Sequence, residues 1–90
     1  MARWTIETRL HRLRQLPQDF CIERIIHLLA SDVLADRAAA TRMLGELDGG
    51  TADLRIVRTA TAPWQSPVGR ARLLQGLNLA RQRRRVRQKG

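Results

Sequence analysis

Apolar residues recur at steps of three and four through most of the chain, and these steps predict helices. In "TIETRLHRLRQL", Ile6, Leu10, Leu13 and Leu16 share one face while Arg9, Arg12 and Arg14 turn largely away, which predicts a first helix over 5–16 with Thr5 as its N-cap. Pro17 cannot extend that helix without losing a backbone hydrogen bond, but it suits the start of the next one. In "QDFCIERIIHLLAS", Phe20, Cys21, Ile22, Ile25, Ile26, Leu28 and Leu29 cover most of the circumference, so this second helix should be central, with Glu23, Arg24 and His27 as its polar edge. "VLADRAAATRMLGEL" predicts a third, capped by Ser31 or Asp32, with Asp36 as a competing later start. Val33, Leu34, Ala38, Met43, Leu44 and Leu47 form its packed side, the three alanines from 38 to 40 let another backbone come close, and Gly49 and Gly50 end it.

The pattern is ambiguous over residues 51–65. "LRIVRTA" alternates apolar and polar positions, which suggests a short strand near 54–60 without an evident partner strand. Trp64 follows Pro63 where the chain must bend, and its ring should cover the edge of the core rather than stack on a base. The helical pattern then resumes with Ser66 as N-cap, Pro67 in the first turn and a stripe of Leu73, Leu74, Leu77 and Ala80. Gly69 and Gly76 each weaken that helix by roughly 1 kcal/mol, so packing must hold it. Past Ala80 the stripe stops, and cations occupy every face. The predicted fold is all-α: a bundle of three to four helices within a single domain, 1–80, with a flexible basic extension, 81–90, and a short strand near 54–60.

Composition narrows the picture. With one Phe, two Trp and no Tyr among 90 residues, the core must be aliphatic, and the length allows one domain. Cys21 is the single cysteine, so no disulfide forms within the chain, which suits a reducing, cytoplasmic setting. His11 and His27 stand apart from any metal-binding spacing, and no run reaches the ~18 apolar residues of a membrane span. No glycine-rich phosphate loop, activated nucleophile or carboxylate pair is visible; "LDGGT" is explained by the helix end it marks. The reading therefore favours binding over catalysis, without a cofactor or a metal.

Charge distribution suggests what is bound. The chain carries a net +9, with sixteen Arg and one Lys. Residues 1–53 hold seven Arg against eight acids, whereas residues 54–90 hold ten cations and no acid. An acid-free segment of that length reads as a contact surface for a polyanion, and Arg offers bidentate contacts that Lys does not. The leading expectation is a small regulatory or accessory protein that binds nucleic acid, DNA ahead of RNA. Arg81, Arg83, Arg84, Arg85, Arg87 and Lys89 would contact phosphates, Arg70 and Arg72 would extend that surface, and Arg55 and Arg58 would complete it.

Any sequence preference would come from Arg37, Thr41 and Arg42 on the third helix. A helix-turn-helix would place them in a major groove, but "ASDV" lacks a Gly, and Asp32, Asp36, Glu46 and Asp48 bring negative charge close. The segment therefore reads better as an ordinary helical hairpin. The competing function is a protein-interaction module that binds an acidic protein surface and forms a homodimer through the Leu stripe. On either reading the stripe around Leu77 is buried, and replacing Arg84 and Arg85 together by Ala spares folding while weakening binding.

Overall fold

The computed structural model describes residues 2–47 and 49–89, with side chains placed for residues 5–47 and 49–88. Among the described residues five helices follow one another: α1 (Ala2–Arg14), α2 (Gln18–Leu29), α3 (Leu34–Glu46), α4 (Thr51–Ala60) and α5 (Pro67–Lys89). The fold is all-α, and no strand occurs among the described residues. α3 is the hub, packed against α1, α2 and α5, while α4 lies mainly against α5. One aliphatic cluster joins all five, from Leu10 and Leu13 through Ile22, Ile25, Leu29, Leu44 and Ile56 to Leu73 and Leu77.

The strand expected at 54–60 is instead the body of α4, which makes the helix count five rather than three or four. Alternating Leu54 and Ile56 gave the misleading period, because the true core face is Ala52, Ile56 and Ala60, four residues apart. Alanines carry that register, and their small apolar surface barely marks a pattern. Leu54 is exposed.

Helix starts differ from expectation at two places. Thr5 lies inside α1, which begins at Ala2, because hydrogen bonding starts before the first core-facing residue. Neither Ser31 nor Asp32 caps α3 by a side-chain bond to its first turn; Val33 occupies that position. Ser31 instead bridges the turn, accepting the Val33 N–H at 3.0 Å and donating to Asp36 Oδ2 at 2.7 Å. Ser66 does cap α5, its Oγ accepting the Gly69 N–H at 3.0 Å.

Several apolar residues assigned to the core lie outside it. Phe20 is 63% exposed, Val33 and Leu34 face solvent, and Leu16 follows the end of α1. Trp64 does not cover the core edge; it is 74% exposed in the α4–α5 connection. Leu73, Leu77 and Ala80 of the predicted stripe are buried within the chain, and Leu74 is partly buried against the same core.

The expected break after residue 80 is absent. α5 continues to Lys89, and at 1.5 Å per residue its length of about 34 Å nearly matches the 35 Å longest dimension of the molecule. Arg84 takes the next place in the buried stripe after Leu73, Leu77 and Ala80, at 9% exposure. Residue 90 lies outside the described residues.

Phe20 and Ile22 look equivalent in an apolar α2 yet differ in burial, which gives a direct check. Ile22→Ala should cost about 2–5 kcal/mol in urea unfolding, and Phe20→Ala should stay within about 0.5 kcal/mol of the parent. Comparable losses for both would refute this orientation of α2.

Candidate functional site

The cations of the second half divide into those that hold the fold and those left for a ligand. Arg84 belongs wholly to the first group. Its guanidinium donates to Leu47 O at 2.9 Å, to Leu44 O at 2.8 Å, and to both Asp53 carboxylate oxygens at 2.8 and 2.9 Å. Four of the ~5 donors of the fork are thereby satisfied. The two carbonyls belong to the end of α3, where a helix runs out of N–H partners, and Asp53 sits in the first turn of α4. The turn between them closes on the guanidinium. Gly49, at φ +89°, approaches the Arg84–Asp53 pair so closely that a Cβ there would sit 3.0 Å from Arg84 Nη1.

Two further α5 arginines act in the same way. Arg70 Nε donates to Ala60 O at 2.9 Å, at the end of α4. Arg72 Nη1 donates to Asp32 Oδ1 at 2.6 Å and lies 3.4 Å from the carbonyls of Ala30 and Ser31, just past α2. Thus α5 carries a cationic side chain to the C-terminal end of each of α2, α3 and α4, where the helix dipoles favour it.

The third-helix candidates are also engaged. Arg37 donates to Ser31 O at 2.7 Å, the Thr41 hydroxyl donates to Arg37 O at 2.8 Å, and Arg42 pairs with Glu7 at 3.0 Å. α3 packs against α1, α2 and α5. These three side chains nevertheless share a surface, because they line a groove between α3 and α5.

Among the described residues, Arg55, Arg58, Arg83, Arg85 and Arg87 form neither an ion pair nor a hydrogen bond. Arg83, Arg85 and Arg87 lie exposed on the last turns of α5 beside Arg81, whose Nε is 3.5 Å from Asp53. Arg55 and Arg58 are on α4, apart from that run in sequence and on another helix. The Lys89 side chain lies outside the described residues.

The α3/α5 groove has a volume of about 610 Å³ and is lined by Leu34, Arg37, Ala38, Thr41 and Arg42 from one side and Arg72, Gln75, Leu79, Gln82, Arg83 and Val86 from the other. A second hollow of about 540 Å³ continues it past Gly45 to Glu46 and Arg87. Arg72 lies beside the start of α3 and Arg83 packs its Cβ 3.4 Å from where a Gly45 Cβ would be, so the two helices run in the same direction. Sequence reading missed Leu34, Leu79 and Val86 as groove residues. The available signal was negative: Leu79 and Val86 fall off the Leu73–Leu77–Ala80 stripe.

The acids that remain serve arginines. Hydrogen bonding from Arg84 holds the Asp53 carboxyl below its ordinary value against the effect of burial, and the charges of Arg84 and Arg81 add to it. Arg14 does the same for Glu46, opposed by burial and helped by the charges of Arg14, Arg42 and Arg87. Burial pushes Asp36 upward, but hydrogen bonds from Arg9 and Ser31 and the charge of Arg9 outweigh it and lower the net value. Burial, with the Glu46 charge, raises the Cys21 thiol, which disfavours the nucleophilic thiolate. No group of three or more His, Cys, Asp or Glu suited to a metal ion occurs among the described residues.

Comparison with protein-family models, with curated proteins and with solved structures finds no match.

The position of Arg84 reverses the expectation that Arg84 and Arg85 can be removed without harm to folding. Arg84→Ala strands the Asp53 carboxylate and two carbonyls and should cost about 3–5 kcal/mol, whereas Arg85→Ala should fall within about 0.5 kcal/mol, both read by urea denaturation. The lowered carboxyls also fix the acid response. Their folded values lie below the unfolded ~3.9 to 4.3, so their stabilisation is complete above about pH 5 and is lost as pH falls through the folded values. A melting temperature that is flat from pH 7 to about 5 and drops below about 4 is expected, with the drop reduced in Asp53→Asn.

Proposed function

We propose that this protein is a binding module for nucleic acid that contacts phosphates through the exposed arginines at the end of α5. One observation supports the reading above the rest: Arg83, Arg85 and Arg87 form no ion pair among the described residues and stand on a helix that Arg84 anchors to the core. A cationic run already ordered before binding avoids the entropy cost that a disordered tail would incur on contact. Phosphates would replace condensed counterions along the nucleic acid, and the released ions supply the affinity.

This surface is smaller than the one expected from sequence. Arg84 is removed from it, Arg70 and Arg72 are held by carbonyls, and Arg37, Thr41 and Arg42 belong to the groove. Contact through a few backbone-directed arginines gives register-independent binding with little base readout. Duplex DNA stands ahead of RNA in this proposal, because the wide major groove admits a helix edge whereas that of A-form RNA is narrow and deep. The proposal assigns binding and no catalysis.

The test is fluorescence anisotropy with duplex DNA, single-stranded DNA and hairpin RNA across a salt series. Full-length protein should show log affinity falling with log salt, and Arg83→Gln, Arg85→Gln and Arg87→Gln together should reduce the slope on B-DNA by about 2 to 3, near 0.9 for each phosphate no longer neutralised. Because these side chains are exposed and unpaired, the melting temperature of the triple variant should stay close to that of the parent. An unchanged slope, or no binding by the parent at physiological salt, rejects the proposal.

A further inference from the structure

We infer that the α3/α5 groove is a docking site for an acidic amphipathic helix of a partner protein. This goes beyond nucleic-acid contact and uses a neighbouring part of the surface that shares Arg83 with it. The groove has an apolar floor that the fold leaves open: Leu34 is 70% exposed, Val86 72% and Leu79 43%. Leu79 and Val86 lie two turns apart along α5, Leu34 stands at the start of the parallel α3, and Ala38 and Gly76 line the trough as well. From Leu34 to Glu46 the trough follows α3 for about 18 Å, the length of a partner helix of some three turns. An apolar stripe at i, i+3, i+4 and i+7 is the complement of such a floor.

Charge identifies the occupant. Arg37 and Arg42 stand on the α3 side and Arg72 and Arg83 on the α5 side. Glu7 and Asp32 hold Arg42 and Arg72 from outside the groove, which fixes those guanidiniums in place, while Arg37 and Arg83 make no ion pair. The acid along the trough is Glu46 at its far end, and Arg14 occupies it. A helix with acids flanking its apolar stripe meets cations on both rims, so rim charge complements it on each side. Arg83 is suited to this role because its stem packs on Gly45 while its head remains free.

A second copy of this chain does not have that chemistry. Among the described residues, only Asp19 and Glu23 of the acids are outside ion pairs, both on α2, and two copies would each bring a net +9. The occupant is therefore a different, acidic protein.

The experiment titrates the full chain with a labelled, hydrocarbon-stapled peptide of about 14 residues, with Leu along one face and Glu on both flanks. Its control has every Glu replaced by Lys. Saturable binding is expected for the Glu peptide and at least a tenfold weaker response for the Lys peptide. Leu34→Ser with Val86→Ser should weaken the Glu peptide at least tenfold. Both changes are at exposed positions, so an unchanged circular-dichroism melt shows that the fold is intact. Arg37→Gln with Arg83→Gln should weaken it to a similar extent. Equal binding of both peptides, no saturable binding of the Glu peptide, or parent-like binding by the Leu34/Val86 variant overturns the inference. Displacement of the Glu peptide by a DNA duplex with no effect of the Leu34/Val86 change also overturns it, since the trough would then be only part of a polyanion surface. The Leu34/Val86 variant leaves Arg85 and Arg87 untouched, so the nucleic-acid proposal stands or falls separately.

Discussion

The fold turns on one guanidinium. Arg84 reaches from α5 into the junction of α3 and α4, closing the carbonyl end of one helix and the acidic first turn of the next. Without it, the turn through Gly49 and Gly50 would leave buried polar groups with no partner, and the last turns of α5 would have little to hold them. Magnitudes explain why that end is helical despite its charge. Like-charge neighbours such as Arg81 with Arg85 and Arg83 with Arg87 each oppose the helix by about 0.2–0.5 kcal/mol. Cations near a helix C-terminus recover about 0.3–1 kcal/mol each through the dipole. Breaking a buried, multiply bonded pair costs several kcal/mol, and that larger contribution decides the outcome.

Arg84 also shows where sequence reasoning fails. When side chains are sorted only into apolar and polar, a stripe of Leu73, Leu77 and Ala80 appears to stop where an arginine follows in register. The stripe continues, because a fork with nearly all its donors bonded can occupy a core position that a solvated cation cannot. The larger helices were legible, since Leu10 and Leu13, Ile22 and Ile25, and Leu73 and Leu77 have bulk enough to mark a period. α4 was not, since its core contacts are Ala52, Ile56 and Ala60. Phe20, Leu34 and Trp64 misled in the opposite sense: large apolar residues on a small protein are not all inside, as there is too little interior to take them.

The same arrangement changes the meaning of the charge asymmetry. An acid-free second half looks like a contact surface, but three of its arginines are committed to the ends of earlier helices. Arginine is suited to that work because one planar fork can meet a carbonyl and a carboxylate together, where a lysine would offer a single point. Part of the preference for Arg over Lys in this chain thus has a structural cause independent of any ligand. The candidate site is what remains after that use: the free edge of α5 and the rims of the groove. Neither could be separated from the structural cations by composition or spacing, since Arg83, Arg84 and Arg85 are consecutive and only the register on α5 distinguishes them.

That register links the two proposed surfaces. One residue along a helix is a rotation of about 100°, so Arg83 is carried to the groove, Arg84 into the core and Arg85 to the outer edge. The central anchor fixes the directions of its neighbours, and a rigid helix then presents Arg85 on one flank and Arg83 and Arg87, at the groove and its continuation, on the other. A ligand on either flank would neutralise charge that the bare protein holds close together. Binding on either side should therefore relieve the same repulsion and add to the stability of the last turns of α5, by the general linkage between ligation and folding. The two flanks are coupled through Arg84 as well as through charge, because both depend on that side chain keeping α5 in its present rotation.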